Sequence, residues 1–587
     1  MKITKTLICA AFMAVGIATA NASGYQVQQD VKIGGFWGGQ YKKLVCKWLP
    51  HCFRQMEAGG AGEEYLNLVN AADYLKHKAE GDTEFNPKKF KGCDWADAYP
   101  YNIVESSCLA LEMAPGDDQE LKAAQEWLRA KLEEWIPTIL AAQESSGYIH
   151  TMHTLRDWPH FKKTTYHEFY VMGYFIEMGI AHYRMSEGND RRLFDAAIRC
   201  ADHLCDTFGP EPKRTWMNGH PGLEYALCRL SDATGDAKYA ELAHWFVTHQ
   251  HTQPENQKAY NQAERPAVEM KDATGHAVRA VYFYSAMTGL GRRVDDAALA
   301  AAGDRLFDSA VNRKYYLTGG VGASTDGNEA FGPDYDLPDT GYCEACASCG
   351  LDFWCREMRS LHAGDLAVAD VVEAVRERSA YNILLGAISR DGLHFFYQNP
   401  LKSVKVRYPW HVCPCCVGNI PRTLFALKDT VFSVAGNTLY VNQYIHIENA
   451  KVTVAGKSYA VSMKTNYPSD GKVTLITDAP VKVVARFPNR AESALYKVMP
   501  ELEHGYRVMG NGEQVTGNGE RVFEWELPLV EQKVFADAKV KGHNGKVAFQ
   551  RGPIVYSWEN SKKVPNYDRL NEGGLSEVWI DEKGAQR

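Results

Sequence analysis

Cysteine fills three of four consecutive positions in the stretch HVCPCCVGN, at Cys413, Cys415 and Cys416. A second group, Cys343, Cys346 and Cys349, lies in GNEAFGPDYDLPDTGYCEACASCG beside Glu329, Asp334, Asp336 and Glu344. Thiolates and carboxylates are the donors that zinc takes in tetrahedral sites, and two compact clusters far apart in sequence are a common way to assemble one. A disulfide between the adjacent Cys415 and Cys416 would close a strained ring. A metal can hold both sulfurs across a tight turn, and Pro414 and Gly418 flank one. Spacing alone leaves three readings open: a structural zinc site, ordinary disulfides, or a catalytic cysteine whose thiolate a metal keeps ionised.

The rest of the chain bounds what such a site could serve. Its 587 residues are too many for one ordinary core and suggest two to four units, fewer if one is a large toroid or barrel. A hydrophobic share of 45% and a charged share of 23% are those of a globular protein. The net charge of −7 offers no basic footprint for nucleic acid or anionic lipid, so a neutral substrate fits best. Thirteen Trp and 31 Tyr suit stacking on sugar faces, although most such rings belong to cores.

The opening MKITKTLICAAFMAVGIATANAS has Lys2 and Lys5, an apolar run from Leu7 to Ile17 and small residues up to Ala22. It reads as a signal peptide over 1–22 and predicts export to a periplasm or the outside. No later stretch approaches the roughly 18 apolar residues of a membrane span, so no membrane partner is expected. Without Cys9, 14 of the 15 cysteines remain, and even parity in an exported protein invites disulfides. Against that, Cys200, Cys205 and Cys228 fall at apolar helical positions, where a cysteine is usually a small buried hydrophobe.

The elements that must carry the clusters change character along the chain. From about residue 60 to 430 the apolar spacing is helical, as in RRLFDAAIRCADHLCDTFG, and HEFYVMGYFIEMGIAHYRM from His167 is apolar on nearly every side, which predicts a helix buried in a bundle. Turn signals recur around Gly188, Gly235 and Gly289, a helical-hairpin period that indicates an α-solenoid or a closed toroid, and the long loops favour the toroid. Beyond about 430, stretches such as NTLYVNQYIHIENAKVTVAGKSYAVSM alternate apolar with polar residues and predict a sandwich of antiparallel strands, to which YQVQQDVKIGGFW adds a strand.

In this order, HCFRQMEAG, GYIHT, HEFYVMGYFIE, NGHP, TGHAVRAVYFYS, LTGGVGAS with GNEAFGPDYDLP, YCEACAS, FYQNPL and CPCCVGNIPR resemble glycoside hydrolase family 127, the β-L-arabinofuranosidase family, and its close relatives such as family 146. The resemblance covers residues 50 to 430 strongly and the remainder in outline. It implies a mainly α chain with a β domain: an (α/α)6 toroid over 23–430, then an antiparallel β-sandwich over 431–587.

The resemblance also implies roles. Glu344, Cys346, Cys415 and Cys416 would bind zinc, with Cys415 the nucleophile of a retaining mechanism and Glu329 the acid/base. His150, His220 and His276, and with them Tyr397, would bind sugar. Glu329 would then need surroundings that raise its pKa. Asp334 and Asp336 read equally as turn residues, Glu168 as hydrogen-bonded structure, and Cys343, Cys349 and Cys413 have no implied role. Val417 and Gly418 replace the two prolines of many members, and DLPDTGY is one residue short, which leaves the sugar open. The expected activity is release of β-linked L-arabinofuranose from plant cell-wall glycans or glycoproteins. The alternatives are the same mechanism on a branched or acidic furanoside of pectin, and a non-catalytic carbohydrate-binding protein with structural zinc. The oligomeric state stays open, a homodimer among the choices.

Overall fold

The computed structural model describes residues 23–556 apart from 59–62, 218, 254–257, 403–405, 489–492, 511–513, 516–518 and 544. The predicted signal peptide at 1–22 lies outside the described residues.

Six helices form an inner ring: Ala98–Leu111, Glu168–Met185, Leu223–Thr234, Ala277–Arg293, Ala345–Leu361 and Cys416–Phe425. Each packs on the next, and the last returns to the first, which closes the toroid. Ring helices touch neighbours on every side, and their sequences allow it. Every residue of Ala98–Leu111 and of Cys416–Phe425 is buried, as is Glu168 through His182. Outer helices such as Arg192–Thr207 and Ala297–Arg313 bury one face only. Several outer starts are capped by aspartate accepting from the first-turn backbone, at Asp118, Asp236, Asp296 and Asp365.

Two of the three expected turn glycines, Gly188 and Gly235, lie beyond helix ends at φ 81° and 72°. Gly289 does not: it sits inside Ala277–Arg293, where a Cβ would come within 2.8 Å of the Glu357 carboxylate. It permits close helix packing rather than a turn.

Helix gives way to strand between Thr430 and Phe432. A six-stranded sheet runs in the order Lys32–Ile33, Ile447–Val454, Lys457–Thr465, Lys472–Thr477, Arg521–Glu526, Gln514–Val515, so the amino-terminal segment does join it. Two four-stranded sheets complete the β region. The strands pair antiparallel as expected, with one exception among the described residues: Thr438–Val441 pairs in parallel with Lys482–Ala485. One continuous apolar cluster extends from Val31 through the ring to Ile554.

Candidate active site

The starts of the six inner helices converge. Trp95 precedes Ala98–Leu111, His167 caps Glu168–Met185, and His220 precedes Leu223–Thr234; His276, Glu344 and Cys415 cap the remaining three. All six line one cavity of about 310 Å³, together with Glu329, Tyr342, Cys346, Tyr397 and Arg279. Helix starts present unpaired N–H groups and the positive ends of their dipoles, so this wall favours carboxylates and thiolates.

At its floor the donor atoms of Glu344, Cys346, Cys415 and Cys416 lie within 4.8 Å of one another, all in buried residues. The Cys346 sulfur is 3.2 Å from that of Cys416 and 3.6 Å from that of Cys415, which are 3.8 Å apart. Glu344 Oε1 is 3.3 Å from Cys415 Sγ. Sulfurs about 2.3 Å from a shared tetrahedral centre stand about 3.8 Å apart, close to what is seen. Burial pushes the Cys346, Cys415 and Cys416 thiols well above their ordinary range. Burial, then the charge of Glu329, pushes the Glu344 carboxyl up to about 8. Its Oε2 is buried without a hydrogen-bond partner. Four acidic groups crowded together out of water, with one oxygen unpartnered, form a donor set that fits a metal ion. The disulfide reading finds no support, since all 14 cysteines among the described residues are free.

A second cluster joins the first through Glu344. Donor atoms of His276, Glu329 and Glu344 also lie within 4.8 Å of one another. Glu329 adopts φ 62°, a left-handed backbone uncommon for its type, and its carbonyl accepts from Ala277 N at 2.9 Å. Its Oε2 stands 2.7 Å from His276 Nε2, and its Oε1 accepts from the Tyr342 hydroxyl at 2.6 Å. His276 Nδ1 accepts from Val278 N at 3.2 Å, which leaves the ring proton on Nε2, facing Glu329. Burial raises the Glu329 carboxyl, but the His276 and Tyr342 hydrogen bonds outweigh it and hold the group below its ordinary value. The expectation of a raised pKa is therefore corrected, because both oxygens already accept hydrogen bonds.

Over residues 31–429 the chain matches the family model described as β-L-arabinofuranosidase, GH127 catalytic domain, and over 531–585 that of the glycoside hydrolase family 127 C-terminal domain. The chain belongs to glycoside hydrolase family 127. It is 29% identical over 546 residues to a non-reducing end β-L-arabinofuranosidase of Bifidobacterium longum subsp. longum, covering 83% of this chain and 79% of that protein. A solved GH127 β-arabinofuranosidase superposes with TM-score 0.77 at 30% identity, covering 91% of this chain and 86% of the other. Another, from Geobacillus stearothermophilus T6, gives TM-score 0.74 at 28% identity over 90% and 86%. Family 127 membership makes the protein a glycoside hydrolase with a carbohydrate substrate.

Within this family 127 cavity most of the expected residues come together. His220 and His276 line it with rings 5.9 Å apart, and the Tyr397 hydroxyl lies 3.2 Å from Cys415 Sγ. His150 does not line it. It caps the short outer helix Thr151–Arg156, 1% exposed, with Nε2 3.1 Å from the Tyr166 carbonyl and Nδ1 3.0 Å from His153 Nδ1. A histidine that the sequence reading passed over, His167, takes a place in the wall, its ring 5.2 Å from that of His220. Its signal was position: it immediately precedes a helix apolar on all sides. Tyr342, two residues before Glu344 of the Glu-x-Cys triplet, was also missed.

The residues read as bland stay so. Glu168 accepts from the Tyr148 hydroxyl at 2.6 Å and from Phe161 N at 2.8 Å. Asp334 pairs with Arg313 at 2.7 Å. Cys343 and Cys349 are core residues, whereas Cys413 lines the cavity.

Proposed function

We propose that this family 127 enzyme is an exported, retaining exo-glycosidase that releases β-linked L-arabinofuranose from plant cell-wall glycans or glycoproteins. In this reading Cys415 is the nucleophile, Glu329 the acid/base, and Glu344, Cys346, Cys415 and Cys416 hold zinc. The observation that carries it is the junction at Glu344, which belongs both to the thiol cluster and to the His276–Glu329 cluster in one cavity. Zinc, when bound, supplies the positive charge that keeps buried sulfurs ionised near neutral pH.

Cys415 Sγ attacks the anomeric carbon while Glu329 gives its proton to the departing glycosidic oxygen; the C–S bond forms as the C–O bond breaks. Water then surrenders a proton to Glu329 and attacks the same carbon, and the C–S bond breaks, so two inversions give retention. The hydrogen bonds from His276 and Tyr342 favour the carboxylate, the form the second step needs. The first step draws on the protonated minority, which sets an upper pH limit on turnover. Burial lowers the pKa values of His167, His220 and His276, so the sugar would meet neutral imidazoles; the His220 Nδ1 lies 2.7 Å from the Pro221 carbonyl, which leaves its Nε2 as an acceptor. Export rests on the amino-terminal Lys2, Lys5 and apolar run.

The test is p-nitrophenol release from p-nitrophenyl β-L-arabinofuranoside by the purified protein and by Cys415→Ser, with zinc content measured on both. Release by the wild type alone, with retention seen by NMR, is the expected result. No release by zinc-loaded wild type would move the assignment to a second reading, an acidic furanoside. Arg279 favours that reading, since it lines the cavity and its Nη1 contacts are the neutral Gly219 carbonyl and Asn261 side chain.

A further inference from the structure

Beneath the thiol cluster lies a buried polar network that the proposed steps leave unused. Asn419, in the helix that Cys415 caps, donates from Nδ2 to Cys346 Sγ at 3.1 Å. The same nitrogen is 2.8 Å from the Tyr282 hydroxyl and 3.0 Å from that of Tyr174. Its Oδ1 accepts from Arg422 Nε at 2.7 Å. That contact settles which way round the amide stands. A guanidinium only donates, so the atom facing it is the oxygen, and the nitrogen must face the sulfur.

Arg422 is itself clamped. Its Nη1 lies 2.8 Å from Glu105 Oε2 and 2.6 Å from Glu177 Oε2, and Arg229 takes the other oxygen of each. Two guanidiniums and two carboxylates sum to no net charge. What reaches Cys346 is therefore an oriented amide dipole, not the field of an unbalanced cation. Asn419 is fully buried and Arg422 is 3% exposed, so both hold their orientation in a low-dielectric setting where a hydrogen bond to sulfur is strong. Among the described residues no N–H bonds to Cys415 or Cys416, so the three sulfurs are not equivalent.

We infer that Asn419, held by Arg422, is a positioning residue that tunes the metal site through Cys346. Its N–H draws electron density from that sulfur and stabilises the thiolate out of water, whereas the Cys415 sulfur has the Tyr397 hydroxyl as its neighbour, at 3.2 Å. The inference rests on the reading of Glu344, Cys346, Cys415 and Cys416 as metal ligands. Partners of this kind, one bond beyond the ligands, carry about 10–100-fold in metal affinity.

The experiment uses the full protein loaded with cobalt(II) to read the sulfur-to-metal charge-transfer band, and with zinc to read affinity by chelator competition. Asn419→Leu removes the donor. Asn419→Asp also removes it but still accepts from Arg422, so it decides the matter if the leucine variant fails to fold. Both should move the band to longer wavelength, because a sulfur without its N–H gives up electron density more readily, and both should weaken zinc by about tenfold or more. Tyr174→Phe, which keeps the amide and its link to Arg422, should leave the band in place. A folded Asn419 variant with band and affinity unchanged overturns the inference, as does a band that moves in Tyr174→Phe alone. Wild type that gives no band at all refutes the ligand assignment, and the inference with it.

Discussion

A pair of hydrogen bonds on Glu329 decides how the proposed acid/base should titrate. His276 and the Tyr342 hydroxyl both stabilise the charged carboxylate, so its folded pKa lies below the ordinary value and the protonated form is lost as pH rises. Tyr342→Phe removes one donor to the charged form, raises that pKa, and should move the basic limb of the kcat/KM profile upward by about one pH unit, the equivalent of a hydrogen bond to a charged group. A limb that stays in place would show that another group governs it. The two histidines that exchanged places make a second test. His167→Ala should cut kcat/KM by about tenfold or more, since a sugar hydroxyl loses its partner. His150→Ala should leave KM unchanged and lower the melting temperature, because its ring nitrogens are engaged by the Tyr166 carbonyl and His153, away from the cavity. The reverse pattern would return His150 to the sugar. The resemblance to family 127 singled out Glu344, Cys346, Cys415 and Cys416, which the structure brings together; spacing alone left six clustered cysteines and three readings open. The sequence could not separate His150 from His167, since both sit in short loops and only the ring closure shows which loop opens a ring helix.

Six of the wall residues stand at helix starts, so the placement of the inner helices sets much of the geometry of the chemistry, while Glu329, Tyr342 and Tyr397 come from loops. Cys416–Phe425 lies tightly against Ala98–Leu111 at Gly418, where a Cβ would stand 2.8 Å from Asn102 Cβ and 3.0 Å from the Asn102 backbone carbon. Ser106 Oγ also donates to the Gly418 carbonyl at 2.9 Å, and Trp48 Nε1 to that of Val417 at 2.8 Å. Gly418→Ala should therefore push this helix outward, cost about 1–3 kcal/mol of stability, and lower zinc content, because Cys415 and Cys416 move with it. Full zinc content together with wild-type stability would count against so tight a coupling. Val417 and Gly418 themselves stand in the first helical turn, where proline is also tolerated, so their difference from the prolines of many relatives need not alter the helix start. Elements were legible wherever burial imposed a period, as in the all-apolar run after His167 and the alternation after residue 430. Gly289 was misread because a glycine that admits a neighbouring helix looks, in sequence, like one that turns the chain. The parallel pairing of Thr438–Val441 with Lys482–Ala485 joins segments distant in sequence, and no local pattern specifies it.

The strand region is bound to the toroid by more than apolar contact. Helix Leu366–Ser379, on the outside of the ring, buries Glu373, Arg376, Glu377 and Arg378. Glu377 accepts from Arg486 at 2.7 Å and from Tyr467 at 2.9 Å, and Glu373 accepts from Gln443 at 2.7 Å, all from the strand region. Losing the strand region would take Arg486 from the buried Glu377, while Glu373 would lose Gln443 and keep Arg376 of its own helix, so the two regions should unfold in one calorimetric transition, and two separated transitions would refute the coupling. The same joint should respond to acid. Asp429 lies where helix gives way to strand. Its carboxyl contacts Arg184 at 2.7 Å and Lys428 at 3.1 Å, and it accepts from Gln28 N at 2.9 Å. Burial raises this carboxyl, but the two cations and the backbone donor prevail and hold it at about 2. An unfolded aspartate titrates near 3.9. Its stabilisation, on the order of 2–3 kcal/mol, is therefore full above about pH 4 and drains away as pH falls toward 2. Asp429→Asn should have a clearly lower apparent melting temperature than wild type at pH 7, measured at one scan rate, and the gap should hold to about pH 4 and be smaller by pH 3. A gap constant across that range would mean that Asp429 acts through shape and hydrogen bonding, and that the charge at this joint contributes nothing to holding the strand region on the ring.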